Sequence, residues 1–426
     1  MSGNTTPIRL RKLPEGKATF ALLVVTWLTY FSLYLGRLNF SAGMSDMIEN
    51  GGFSKAELGL VPAAFFCSYG FGQFFSGLLG DRFSPKLLVF TGVLGSSLLN
   101  LAFPFCSSVP LMAAIWFVNG LAQSLVWAPM ARLIADRASG TQCVRIILLL
   151  STTSPAGTLC AYGLSAVTIQ TGGWQASFWF AAVFLFLVSL FWLIGVMRLE
   201  RLADLHGTPE PPPPPRKQEH EKGGSLLHIL VPSGLLILLL GACLHGTLKD
   251  GLTTWIPTYL TEAFSISPSF SVALTTVMPI VNLLGVFLAN RLNERLGNEA
   301  FTASFFFGVA LLSILILTLF GSSSLVLSVL LFAIVTSAMT AANTVFNSIL
   351  PLHFRQHSAV STATGALNAV TYVGCALASS LFGKTAELWG WGGTQILWLV
   401  LAAAGCLCAL AAGRWKRFRE DIYHQN

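Results

Sequence analysis

Twelve apolar runs, each about twenty residues long, occupy most of this 426-residue chain. As a helix, a run of that length crosses the ~30 Å hydrocarbon core of a bilayer. In lipid every backbone N–H and C=O must be satisfied within the protein, which leaves helices or closed barrels as spanning structures. The runs are continuous rather than alternating, and that selects helices. Composition agrees, since 54% of the residues are hydrophobic and only 10% are charged, against about 25% charged in soluble domains. So few charges cannot clothe a water-exposed globule of this size. A soluble enzyme, a nucleic-acid binder and a disordered scaffold are excluded.

The spans fall near 18–44, 54–79, 87–106, 109–135, 143–169 and 174–197, then 228–262, 268–294, 299–320, 324–353, 359–386 and 391–413. The expected fold class is therefore an all-α integral membrane protein, with twelve transmembrane helices in two pseudo-symmetric six-helix bundles. Residues 1–17 form an N-terminal arm, 18–197 the first bundle, 226–413 the second and 414–426 a basic tail. The linker at 198–225 carries a proline run from Pro211 to Pro215, then Arg216, Lys217, Glu219, Glu221 and Lys222. It cannot bury a core, and the sequence predicts an extended or disordered segment.

The net charge is +7, and its placement reports topology rather than an acidic partner. Of the 25 Lys and Arg residues, 21 fall on one side of the spans. Lys55 and Lys384 lie on the other side, while Arg37 and Lys249 sit inside spans. By the positive-inside rule both termini are expected to be cytoplasmic. The basic N-terminus leads into an apolar run too long for a cleaved signal peptide. The chain reads as an inner-membrane protein of bacterial type, expected to be monomeric. The eight cysteines form no CxxC pair and read as small hydrophobes. No Walker A, HExxH, GxSxG or GxGxxG motif occurs, so neither enzymatic chemistry nor a cofactor or metal is expected.

The halves echo one another. Arg37 precedes Asp81-Arg82 by 44 residues, and Lys249 precedes Glu294-Arg295 by 45. The last span of each half opens on Gly-Trp, at Gly173-Trp174 and Gly390-Trp391. Two six-helix repeats with a site between them suit a transporter.

An arginine at a helix centre costs roughly 2.5–3.5 kcal/mol, so Arg37 must face a partner or a watery cavity. Its span offers no acid for an ion pair, and an anion-binding role is expected. Tyr30 and Tyr34 share its helical face, either as donors to that anion or as packing residues. Lys249 lies at matching depth with Asp250 beside it. Neighbours on a helix point about 100° apart, which disfavours a tight pair. His245, one turn earlier, is a ligand or a packing residue; with Asp250 it is also a candidate proton carrier or counter-ion. Tyr69, Gln73, Trp127, Asn343 and Tyr372 complete the candidate substrate site, and Asn282, Asn347 and Asn368 are further polar points. Gly77, Gly80, Asp81, Arg82 and Lys86, with Arg132, Glu294 and Arg295, read as a conformational loop set at the membrane edge.

The stretch Gly77 to Lys86 resembles the loop motif between the second and third helices of the major facilitator superfamily. Tyr34-Leu-Gly-Arg37-Leu-Asn39-Phe-Ser41 is similar to the first-helix signature of the organophosphate:phosphate antiporters. Further likeness lies in Asn119 to Gln123, Trp127 to Pro129, Gly251 to Leu260 and Gly383 to Trp391. The resemblance implies a phosphate held between one arginine from each half, and exchange of an organophosphate for inorganic phosphate. Arg37 matches the first arginine. Lys249 stands at the second and lacks the planar two-pronged grip of a guanidinium. A lysine and a histidine found in the pocket of some members are replaced by Gln73 and about Thr153. The expected function is secondary transport of a small organic anion, with proton-coupled symport and a transporter-like ligand sensor as alternatives.

Overall fold

The computed structural model describes residues 11–209, 235–350 and 360–414. The Pro211–Pro215 run, Arg355 and most of the tail lie outside them. Among the described residues, eight helical stretches are long and apolar enough to span a membrane. Two of these, Gly140–His206 and Gly365–Arg414, are double length and hold two spans each. The helices Leu60–Arg82 and Leu235–Phe264 are the second and seventh spans and complete the twelve.

In the first half, α1 is Lys17–Glu49, α2 Lys55–Leu58, α3 Leu60–Arg82 and α4 Pro85–Ala102. They are followed by α5 Val109–Ser124, α6 Trp127–Arg137, α7 Gly140–Leu150 and α8 Thr153–His206. The second half has α9 Leu235–Phe264, α10 Pro268–Thr275, α11 Val277–Leu296, α12 Glu299–Phe320, α13 Leu325–Thr344 and α14 Val360–Arg414. The starts follow local chemistry. Ser54 and Glu57 make a reciprocal capping box on α2, while Ser267, Asn298 and Ser324 accept from the third backbone N–H of α10, α12 and α13.

The Gly-Trp repeat is a matched pair of chain breaks. Gly173 adopts φ 66°, ψ −176°, where the fifth span turns into the sixth inside α8. Gly390 adopts φ 66°, ψ −177° at the equivalent point inside α14. This region is closed to residues with a Cβ. The first break is also capped, since Asp46 Oδ2 accepts from the Trp174 backbone N–H at 2.7 Å.

Each half packs its opening span on its closing pair, α1 on α8 and α9 on α14. Aromatic clusters fill both bundles. Phe103 stacks on Phe178 at 4.4 Å beside Trp116, and Trp398 meets Phe332 and Phe382. The halves meet along α1 with α9, α3 with α14, and α8 with α10. Large apolar side chains such as Phe71, Leu148, Phe287 and Leu407 cover the outside, as a lipid solvent requires.

The sixth span runs further than expected. Helix continues to His206, and Thr208–Pro209 then pairs with Lys12 and Arg11 in a short antiparallel ladder. The linker therefore does not begin at 198. Glu200 accounts for the extension, because it receives Lys86 at 2.5 Å and Arg137 at 4.0 Å and draws the helix along the bundle end.

Gly173→Ala and Gly390→Ala are each expected to cost on the order of 1–3 kcal/mol. Thermal unfolding in detergent should show both melting earlier than the parent, whereas Gly163→Ala, with open space around its Cβ position, should not.

Candidate functional site

Arg37 lies midway along α1, where the two bundles meet. Its guanidinium stands over the Tyr34 ring at 4.5 Å and near the Tyr69 ring at 5.7 Å, an aromatic cradle that compensates lost hydration by cation–π attraction. Its Nε is buried with no hydrogen-bond partner among the described residues. Arg37 and Asp250 line one small cavity of about 30 Å³ between the halves, floored by Phe65, Trp116 and Thr253. That volume is enough to admit water.

The surrounding tyrosines come from three helices. Tyr30 meets Tyr34 edge-on at 6.1 Å and Trp127 at 5.0 Å. Tyr69, from α3, meets Tyr372 of α14 at 5.1 Å, so the cradle crosses from one half to the other. Gly157 makes room for Tyr34, since a Cβ there would lie 2.8 Å from its ring. Gln73 is half-buried one turn beyond Tyr69.

The backbone bearing Arg37 is fixed by amides that the sequence does not single out for this task. The Gly36 carbonyl accepts from Asn100 Nδ2 at 3.1 Å, Asn119 Nδ2 at 3.1 Å and Gln123 Nε2 at 3.3 Å. Ser96 donates to Asn119 at 2.7 Å, and Asn39 donates to Asn100 at 2.8 Å. Gly36 permits this approach, because a Cβ would meet Leu185 at 2.5 Å. All of these polar residues are fully buried.

In α9 Lys249 makes the close pair that the helical offset disfavours. Lys249 Nζ donates to Asp250 Oδ1 at 3.0 Å. The flexible four-carbon stem spans the 100° offset between neighbours. Asp250 is held from its other side by Cys375, whose Sγ donates to Oδ2 at 3.1 Å. Cys375 is thus more than a small hydrophobe. His245 is fully buried, with one ring nitrogen 2.7 Å from the Ala242 carbonyl and the other 3.1 Å from Asn343 Oδ1, and its tautomer decides which of the two oxygens receives the ring N–H. Asn347 donates to the same Asn343 oxygen at 2.8 Å. His245 and Asn343 therefore brace α9 against α13 instead of lining the cavity.

Pro257 explains a contact that joins the halves beside the cavity. Proline has no N–H to offer the carbonyl four residues earlier, which is that of Thr253. Tyr162 of α8 donates to this carbonyl at 3.1 Å from the opposite half. Towards the bundle end opposite the termini, Ser45 donates to Thr258 at 3.3 Å and Lys55 pairs with Glu262 at 2.6 Å. Trp391 donates to Glu262 at 2.8 Å, and Glu387 accepts from the Ala56 backbone at 2.8 Å. These contacts tie the two halves together at that end. The loop set stands apart from the cavity. Lys86 pairs with Glu200, Arg132 lies 3.7 Å from Asp136 and Arg291 lies 3.7 Å from Glu294, while Arg82 and Arg295 are exposed. The surroundings of Gly77 and Gly80 and the side chain of Asp81 lie outside the described set.

The chain matches the Major Facilitator Superfamily over residues 26–379. It is 24% identical to a probable hexose phosphate transport protein of Chlamydia muridarum (strain MoPn / Nigg), over 89% of this chain and 87% of that one. It is 23% identical to the membrane sensor protein UhpC of Escherichia coli (strain K12), over 91% of each. Its fold is similar to that of a bacterial homolog of the human lysosomal transporter Spinster in an inward-facing and occupied conformation. That match has a TM-score of 0.75 at 16% identity and covers 97% of this chain and all of the other.

Tyr162→Phe removes one hydrogen bond between the halves, worth about 1 kcal/mol, and should shift the open–closed balance about fivefold. A membrane-impermeant thiol reagent should then label Ser45→Cys about fivefold faster than in the Tyr162 parent. Equal rates would show that this contact does not hold the end shut.

Proposed function

The chain belongs to the major facilitator superfamily and resembles its organophosphate:phosphate antiporters, and from that premise we propose that it carries a small phosphate ester across the membrane in exchange for inorganic phosphate. The observation that carries this reading is Arg37, a half-buried arginine at the interface of the halves whose buried Nε has no hydrogen-bond partner and which pairs with no carboxylate among the described residues. A charge kept in lipid at such cost is functional by default, and an anion is its natural complement. The likeness to a probable hexose phosphate transport protein supports a phosphate ester as that anion.

Substrate would enter between the bundles and contact Arg37 and Lys249, with Tyr30, Tyr34, Tyr69 and Tyr372 donating hydroxyl hydrogens. Lys249 would have to loosen its hold on Asp250 to take part. Neutralising the cationic cavity lowers the barrier to closing it. A loaded carrier therefore rocks while an empty one is held back, and exchange follows. The contacts at Tyr162, Ser45 and Lys55 then form the gate on the outer face, consistent with termini on the cytoplasmic side of a bacterial inner membrane.

Asp250 favours a second reading, proton-coupled symport, because it lines the same cavity as Arg37 and its protonation would release Lys249. The likeness to a membrane sensor protein supports a third, binding without transport.

Counterflow in liposomes separates the three. Phosphate-loaded vesicles should take up labelled glucose 6-phosphate or glycerol phosphate, and an imposed pH gradient without internal phosphate should not replace the counter-substrate. Arg37→Ala and Lys249→Gln should each weaken substrate binding roughly 10- to 150-fold, the range for losing a hydrogen bond to a charged group. Uptake driven by the pH gradient alone and abolished in Asp250→Asn would favour symport. Binding without flux would favour the sensor.

A further inference from the structure

Away from the central cavity, a groove of about 470 Å³ opens on the lipid-facing side of the second half, between α11, α12 and α13. Its walls are apolar, with Leu284 and Leu288 from α11, Phe305 from α12 and Ile334 from α13, and its lining also includes Arg291 and Arg295. Gly285 sets the floor. A Cβ there would lie 2.3 Å from the Ser337 carbonyl, so α11 and α13 touch and the larger side chains on either side stand up as walls.

The groove has the length of one lipid in a leaflet, with room for an acyl chain and cations at one end. It follows α11 from Val281 to Arg295, a rise of about 21 Å. Half of a bilayer, hydrocarbon plus headgroup, is about 20–22 Å deep. The two arginines lie four residues apart on the face that carries Leu284 and Leu288. They stand at the end of α11 where the chain leaves the membrane on the side of its termini. Arg291 is broadly exposed and its partner Glu294 lies 3.7 Å away, a distance that leaves the guanidinium free to contact other oxygens. A lipid-facing helix needs an apolar surface, but it needs neither a concave channel nor two cations aligned at one end of it.

The geometry points to a binding site for a single anionic phospholipid of the terminus-side leaflet. An acyl chain lies in the channel between α11, α12 and α13, and the phosphate meets Arg291 and Arg295. Binding here bears on α11, which also contacts α8 of the opposite half, so the lipid sits behind a helix of the moving interface. The site is independent of the substrate reading, and its binding in detergent does not depend on which face of the membrane is cytoplasmic.

Native mass spectrometry of the full chain in detergent tests it, with phosphatidylglycerol and phosphatidylcholine of identical acyl chains added separately. The parent should retain phosphatidylglycerol over phosphatidylcholine at an effect of about fivefold per arginine. Arg291→Gln with Arg295→Gln should bring that ratio close to one. Ile334→Trp, which fills the channel and leaves the arginines in place, should reduce retention of both lipids severalfold, with parental melting temperatures showing that the variants fold. A parental ratio near one, a preference that survives the double variant, or unchanged retention in Ile334→Trp would each overturn the proposal.

Discussion

Lipid cannot hydrate the Arg37 guanidinium, and the centre of the first half is arranged around that fact. Two tyrosine faces take the place of water on the guanidinium, while three side-chain amides anchor the carbonyl of the preceding residue. The choice of amides matters. A carboxylate has no hydrogen to give that carbonyl, and it would have paired with the arginine and cancelled its field. Neutral donors position the charge and leave it available, which an anion-binding role requires.

The second half repeats the scaffold and alters the charge. Gly173 and Gly390 share the same backbone conformation to within a degree in ψ, so each closing helix pair turns on the same hinge geometry. The functional residues do not follow that symmetry. Arg37 has no ionic partner described, whereas Lys249 holds Asp250, which Cys375 holds in turn. Duplicating a fold conserves its backbone constraints, because a positive φ admits few residues. The polar residues at the interface face no such constraint and are free to diverge.

The legible part of this molecule was what lipid enforces. Span number, the paired Gly-Trp breaks and the two intramembrane cations all stand out, because charge is costly in such helices and the Gly-Trp element recurs at the same place in each half. What stayed hidden depends on contacts between residues far apart in sequence. Pro257 marks Thr253 as a carbonyl lacking its helical donor, yet nothing local names Tyr162, 91 positions away, as the group that supplies one. The 100° rule misjudged Lys249 and Asp250 because it describes Cβ directions and not the reach of a lysine stem. The spacing of His245 from Lys249 left a ligand and a packing residue both open, and its neighbours, the Ala242 carbonyl and Asn343 of another helix, are what suit packing. Cys375 carries no signal at all in a sequence where every cysteine lies among apolar residues.

Asp250 also sets which anion the cavity can balance under the proposed reading. With Arg37 and Lys249 positive and Asp250 negative, the three groups carry a single net positive charge. A monoanion would neutralise them, whereas a dianionic phosphate ester would leave one negative charge to be enclosed in low dielectric. Protonating Asp250 raises the sum by one and matches the dianion. The same chain could thus close on a phosphate dianion with one proton or on a monoanion without it, because closure selects for neutrality rather than for a particular ligand. Exchange and symport then differ in whether that proton leaves with the substrate or stays on the carboxylate, and Cys375, which donates to Asp250 only while its oxygen can accept, sits where it can influence that choice.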